Sequence, residues 1–321
     1  MANYKELEGF GVQTLAADPY SAGWVGSIFY NSTSGTFKTV KPGGISLGTW
    51  SSGGSLNTAR TQLAGAGTQT SALSFGGATP PTGQTESYDG TTWTELNDLN
   101  TGRNNLGGCG EDNTSALAFG GVAPPNTAAT ESWNGTSWTE VNDLNLARNS
   151  LRGIGTSTAA LAIGGATAPQ QQNESWNGTS WTEVNDLNTG RALLGGAGTQ
   201  TSALAFGGQP ITGVTESWNG TSWTEVADLN TAREALGGAG SLTSALGFGG
   251  NVPPVTAATE AWNGTSWTEV ADLATARYGF GSAGGPNNSN ALAFGGETTV
   301  SLANTEEWNV PEVVINTLTT S

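Results

Sequence analysis

Histidine is absent from this 321-residue chain, and cysteine occurs once, at Cys109. Without histidine there is no imidazole base at neutral pH and no histidine-bearing zinc or copper site. A single thiol cannot close a disulfide within the chain. Lysine is confined to Lys5, Lys38 and Lys41, and the net charge is −16. Phosphate binding needs clustered lysine and arginine, so neither nucleic acid nor an anionic membrane surface is an expected partner. Long apolar runs are missing too, so no membrane insertion is expected, and the opening MANYKELEGFG lacks the apolar segment of a secretory signal. No stretch carries a convincing helical period.

Glycine (49 residues) and tryptophan (12) are abundant, and both recur at fixed spacing. The segment 131–165, ESWNGTSWTEVNDLNLARNSLRGIGTSTAALAIGG, is the pattern for everything after about residue 45. Its second tryptophan recurs at Trp50, Trp93, Trp138, Trp181, Trp223 and Trp267, a period of 42 to 45 residues. Ten residues later comes an arginine each time: Arg60, Arg103, Arg148, Arg191, Arg233 and Arg277. A Gly-Gly pair closes each unit, from Gly76-Gly77 to Gly295-Gly296. Such a period signals a repeat architecture, here one domain preceded by a leader. Cys109 stands where other copies have Ala66, Ile154, Ala197, Ala239 and Ala283, which marks it as a small buried thiol.

Within the unit after Arg191, residues 194–198 read as a glycine-rich strand A, and residues 202–206 as strand B. The TESW segment at Trp218 reads as strand C, and residues 222–226 as strand D. Asn219-Gly220 suggests a tight hairpin turn between C and D. The glycines at Gly67, Gly110, Gly155, Gly198, Gly240 and Gly284 are expected where the innermost strands crowd around an axis. Six units of four short strands make an all-β fold, a six-bladed β-propeller. The sixth unit lacks its own strand D. Residues 45–50, with the repeat signature GTW, are expected to close the ring in preference to residues 310–318. The predicted domains are therefore an arm at 1–44 and a propeller at 45–321.

Sixteen of the 26 acidic residues occupy three repeat positions, those of Glu131, Glu140 and Asp143. Acids and arginines that recur once per blade suit structural pairing, with each arginine on a repeat carboxylate or on strand-end carbonyls. A glycosidase needs two carboxyls in unequal environments at one point. No catalytic residue, metal ligand or cofactor is assigned, and no enzyme activity is expected. Arg152, Glu111, Glu234 and Glu297 lie outside the pattern and are expected to be solvated. Asn-Gly-Thr at Asn134, Asn177, Asn219 and Asn263 matches a glycosylation acceptor, but turn formation explains it. In the leader, VGSIFYN and TFKTVK read as a hairpin around residues 32–35, after a turn-rich stretch at 18–24 and before a hinge at Pro42, Gly43 and Gly44.

A hydrophobic run ending in Gly-Gly, then an aromatic, then Trp, then Arg resembles the kelch repeat of β-propellers over residues 45–310. The first aromatic is mostly Trp here, with Tyr88 the exception, and the WNGTSW hairpin is shorter than the kelch norm. Kelch-like propellers include the galactose oxidase class, whose copper site needs histidine ligands and a tyrosine–cysteine crosslink, so that activity is excluded. SYDGTTW at residues 87–93 is similar to the sialidase Asp-box but lacks one residue between Asp and Gly. In the leader, Asp18-Pro19 followed by GSIFYNSTSGTFK resembles the N-terminal segment of marine bacteriophage proteins of the tail-fibre or virion-appendage type. That resemblance implies a virion location after assembly in the host cytoplasm, with residues 1–44 docked on other virion proteins.

The copies differ most between strands B and C, where eight of the twelve prolines lie. The candidate recognition residues are Pro80, Pro81, Gln84, Pro124, Pro125, Asn126, Pro169, Gln170, Gln171, Pro210, Thr212, Pro253, Pro254 and Thr298. Rigid scaffolds carry function on such loops. The expected function is a non-enzymatic phage structural protein presenting one propeller face to host-surface glycan or protein. A cellular kelch-type interaction scaffold is the alternative, and a homo-oligomer stays open.

Overall fold

Each repeat folds into one four-stranded antiparallel sheet, in the order A-B-C-D. The computed structural model describes residues 13–15, 28–33, 36–40, 48–78, 80–310 and 315–317, and no helix occurs among them. In the first blade the strands are Ala64–Thr68, Ser71–Phe75, Thr85–Tyr88 and Trp93–Glu95. In the third they are Arg152–Gly155, Ala160–Ile163, Asn173–Trp176 and Trp181–Val184. Strand B is almost wholly buried because neighbouring blades cover both of its faces, whereas in strand D the tryptophan is buried and the Thr-Glu pair exposed. Contacts between consecutive strands A run round the full circle, from Ala64–Thr68 through Gly281–Gly284 and back. The architecture is a six-bladed β-propeller.

The sixth blade combines Gly281–Gly284, Asn290–Phe294 and Thr305–Asn309 with Thr49–Gly53, which pairs Trp50 opposite Trp308. First and last repeats thus share a sheet, and no blade is left with an unpaired seam. The chain divides into two units, Gly48–Asn309 and a second one made of Met1–Leu47 with Val310–Ser321. Residues 310–321 therefore group with the leader and not with the ring, because Ile315–Thr317 pairs antiparallel with Thr36–Val40. The leader hairpin Ile28–Asn31/Thr36–Val40 also takes up Gln13–Leu15 as a parallel strand. Four strands give the hairpin the partners that two strands alone lack. The turn-rich stretch at 18–24, the hinge at 42–44 and residues 45–47 lie outside the described residues.

Aromatic side chains join each blade to the next. The strand-D tryptophan packs on the strand-B phenylalanine of the preceding blade, as in Phe75–Trp138 and Phe119–Trp181, with ring centroids 5.0 and 4.8 Å apart. Its indole N–H donates to a threonine that opens strand C of that same blade, Trp138 to Thr85 and Trp181 to Thr130, both at 3.0 Å. Such ring pairs are worth about 0.5–1.5 kcal/mol each beyond area burial. At the joint between blades 3 and 4 both contacts are missing. Ile163 replaces the phenylalanine, Asn173 replaces the threonine, and the buried Trp223 indole N–H has no acceptor.

Two local expectations need correction. The Asn-Gly pair is not the centre of a two-residue turn: Trp133 pairs with Trp138, so the loop has four residues. Among the Asn-Gly pairs only the glycine takes positive φ, +90° at Gly135, while Asn134 Oδ1 accepts the amides of Thr136 and Ser137. Five of the six glycines at the Gly155 position are crowded first by their own hairpin, and only Gly284 first by the neighbouring blade, through Ala239 at 2.5 Å. A Cβ on Gly155 would meet the Ala159 carbonyl at 2.2 Å. Two positions closer to the strand start, a Cβ on Gly153 would meet the carbonyl of Gly108 in the adjacent blade at 2.5 Å.

Candidate functional site

Between blades, each repeat arginine reaches in two directions. Its guanidinium enters its own blade and pairs with the strand-C glutamate, at 2.8 Å for Arg60–Glu86, 2.9 Å for Arg103–Glu131 and 2.7 Å for Arg277–Glu306. It also donates to carbonyls at the ends of strands B and C, such as Gly76 and Gln84 from Arg60 Nη1. Meanwhile its backbone carbonyl accepts the second glycine of the preceding Gly-Gly pair, Gly77 N–H to Arg103 at 2.9 Å and Gly121 N–H to Arg148 at 2.8 Å. The first glycine of the pair has positive φ and lies so close that a Cβ on Gly120 would be 2.7 Å from the Arg148 carbonyl. All six arginines are fully buried, and burial pulls their pKa down against the opposing pull of the paired glutamate.

The second carboxylate oxygen of each glutamate caps the turn that enters the blade. Glu131 Oε2 accepts the backbone and side-chain amides of Asn100 at 2.7 and 2.8 Å. In the sixth blade Ala274 stands in the asparagine position and only its backbone reaches Glu306. The strand-D glutamate lies opposite the paired one, Glu140 across from Glu131. Without the arginine two carboxylates would face each other. The aspartate series is structural as well, since Asp143 Oδ1 accepts the Thr130 amide. The arginine, strand-C glutamate and aspartate charges are thus absorbed in holding the blades, while the strand-D glutamates are exposed.

Just inside the arginines, six residues form a closed ring of backbone hydrogen bonds. The amide of Asn105 donates to the carbonyl of Gln62, Ser150 to Asn105, Leu193 to Ser150, Ala235 to Leu193, Gly279 to Ala235, and Gln62 to Gly279, at 2.6–3.2 Å. All six have φ between 51° and 60°, and five of them are not glycine. Left-handed backbone is costly for residues with a Cβ, so the ring persists because every blade presents the same hydrogen-bonding geometry to the next.

Within the ring of strands A lies a cavity of about 90 Å³, lined by the strands of all six blades. Arg152 lines it and also lines the smaller cavity beside the starts of strands A. Arg152 was expected in solvent. Instead it is half-buried, and its Nη2 donates to the carbonyl of Gly196 in the adjacent blade (3.3 Å) and, across the channel, to that of Gly238 (3.0 Å) and to Ser282 Oγ (3.2 Å). No acidic side chain pairs with it among the described residues. Burial pulls its pKa down to about 10, partly offset by Cys109, so it stays charged at neutral pH. The signal in the sequence was its alignment with Gly107, Gly195, Gly237 and Gly281, a strand-A position and not a loop. Cys109 is buried beside it, and burial pushes its thiol pKa far up.

The other off-pattern acids are also partly engaged. Glu234 accepts Asn251 Nδ2 at 3.1 Å while its second oxygen is enclosed, and Glu297 raises the pKa of the neighbouring Tyr278 hydroxyl. Glu111 stays at the surface and takes the Ser157 amide and hydroxyl.

The candidate recognition residues lie on the end of the propeller where strands A begin. Bridges such as Asn104↔Val122, Ala192↔Gln209 and Glu234↔Asn251 tie these loops to the segments that follow the arginines. Pro80, Pro124, Pro125, Pro169, Pro210, Pro253 and Pro254 are exposed, and Ile211 and Val300 add exposed apolar surface beside them. Pro81, Gln84, Asn126, Gln170, Gln171, Thr212 and Thr298 are half-buried. Several of these serve the scaffold: the Gln84 carbonyl accepts Arg60, that of Gln170 the Arg191 amide, and that of Thr212 the Arg233 amide. Asn126 bonds Thr167 of the next loop and Asn149. The structure distributes the candidates one loop per blade and does not converge them on one point.

No family model matches the chain, and no curated protein matches it. Among solved structures it is similar to one titled "Structure of YjhT", with a TM-score of 0.68 and 13% identity, covering 83% of this chain and 99% of that one. At that identity the likeness speaks for the propeller fold alone.

Proposed function

We propose that this chain is a non-enzymatic binding propeller of the kelch-like type, carried on a bacteriophage particle, with its proline-rich end turned toward host-surface glycan or protein. The observation that carries the binding role is the contrast within each repeat. Arginine, glutamate, Gly-Gly and tryptophan occupy repeated structural contacts, while the exposed loop prolines and their neighbours vary in kind from blade to blade. A frame that leaves one end free to vary is how recognition surfaces are built on rigid scaffolds. The particle assignment rests on the leader resemblance at Asp18-Pro19 and GSIFYNSTSGTFK, with residues 1–44 as the docking arm.

Peptide mass spectrometry on density-purified virus particles tests it. A fixed ratio of this chain to the capsid protein is expected, with loss of incorporation when residues 1–44 are deleted. Recovery only in the soluble cell fraction would overturn the particle assignment and leave a cellular interaction scaffold in its place.

A further inference from the structure

Three departures from the repeat meet at one point on the propeller axis. Arg152 stands where four sister blades have glycine and one has Ala64. Opposite it in the sheet, Ile163 stands where the other five have phenylalanine. In those blades the ring lies against the glycine, and a Cβ on Gly107 would come within 2.5 Å of Phe119. The smaller Ile163 removes that ring from the path of an arginine stem. From the far side of the channel, Ser282 replaces the glycine of the five sister copies and meets Arg152 Nη2. Residues 130 positions apart in sequence have thus been fitted to one guanidinium.

That guanidinium is only half satisfied. Nη2 uses its hydrogens on carbonyls and Ser282, and Nε is enclosed without an acceptor as in five of the joint arginines, but Nη1 donates to no protein atom and is not enclosed. The side chain is half-buried, and no counter-charge offsets what that burial costs its guanidinium. The propeller does not require it, since five blades do without. The inner edges of strands A surround it with backbone groups that no further strand can pair. The cavity of about 90 Å³ has room for a few waters or one small polyatomic ion, and not for a sugar ring.

We propose that Arg152 holds a small oxyanion on the propeller axis, a carboxylate, sulfate or phosphate accepting from Nη1. The site is independent of the particle assignment and of the proline-rich loops. An arginine fork is the side chain suited to such groups.

Thermal unfolding of the full chain in sodium acetate, sulfate or phosphate, at ionic strength held constant with sodium fluoride, tests this. At least one oxyanion is expected to raise the Tm saturably by about 3 °C or more. Whichever anion does so distinguishes carboxylate from sulfate and phosphate. The double substitution Arg152→Gly with Ile163→Phe, which restores the sister-blade residues, is expected to abolish the saturable rise. Arg152→Lys is expected to weaken the apparent affinity about tenfold or more, as charge is kept and the fork lost. Selenate-soaked crystals of the unmutated chain give a readout that depends on no variant, with anomalous selenium expected within hydrogen-bond reach of Nη1. A non-saturating response to all three anions, equal to that of the double variant, would overturn the proposal, as would a saturable rise with sulfate but no selenium on the axis at saturating selenate.

Discussion

At the blade joints, six arginines each face a glutamate at 2.7–3.4 Å; on the axis, Arg152 faces two glycine carbonyls and a hydroxyl. The joints show how a buried charge is made tolerable: a carboxylate partner, strand-end carbonyls for Nη groups, and a capped turn on the far oxygen, although Nε of five of the six is enclosed without an acceptor, as it is in Arg152. The axis shows the same side chain with its counter-charge left out. The joint pairs are structural by repetition, whereas Arg152 is singular and comes with matched changes at Ile163 and Ser282. The contrast also marks blade 3 as the odd member. Its Arg148–Glu174 pair is the longest at 3.4 Å, Glu174 Oε1 has no hydrogen bond, and the next joint lacks its phenylalanine and threonine.

The strongest way to break the joint side of this comparison is Glu131→Gln, which strands the Arg103 guanidinium in a buried site. A loss of about 3–5 kcal/mol is expected from urea unfolding, against a change under about 1 kcal/mol for the exposed Glu140→Gln. Next is the turn cap: Asn100→Ala removes a side-chain donor to the Glu131 carboxylate and should cost about 1.5–3 kcal/mol. The converse, Ala274→Asn, supplies blade 6 with the donor its sisters have, and a gain of about 1 kcal/mol is expected in the same assay. At the blade 3–4 joint, Asn173→Thr offers the Trp223 indole N–H an acceptor but gives up the Asn173 bonds to Gly164 and Asn185, so the urea midpoint should move by less than about 1 kcal/mol equivalent at constant slope.

On the axis side, Arg152→Gly with Ile163→Phe exchanges three hydrogen bonds for a relieved charge and a ring on Trp223. Stability in oxyanion-free buffer should stay within about 1 kcal/mol of the original. A collapse on the scale of Glu131→Gln would mean that Arg152 is another structural joint. The smallest effect is expected at the left-handed ring, where Ala235→Gly relieves positive φ at the cost of unfolded-state entropy. A gain of up to about 0.5 kcal/mol should appear in calorimetry, and a loss would show that the ring carries no strain.

The repeat made the joints readable in advance. Arginine ten residues after each tryptophan, with one glutamate per blade, implied pairing with a carboxylate or with strand-end carbonyls, and the structure uses both at once. Arg152, expected in solvent, keeps part of its exposure but lies on the inner strand, a place that its alignment with the strand-A glycines marked and its residue type did not. The left-handed ring left little trace in composition, since only Asn105 and Gly279 are of types that favour positive φ, while Gln62, Ser150, Leu193 and Ala235 are not. Nor did the grouping of residues 310–321, because three residues with no partner in the text give no sign of which sheet will accept them.

By itself the sequence determined the all-β propeller, the six blades and the side chains that clasp them, because a period repeated six times forces the same local solution in each copy. Its absences excluded histidine chemistry and intrachain disulfides for equally local reasons of residue type. Only the tertiary structure decided where singular residues meet. Closing the ring brings Arg152, Ile163 and Ser282 together from different blades and lets six amides complete one circle of hydrogen bonds. Those are properties of closure, in which each blade supplies what its neighbour lacks, and no single repeat contains them.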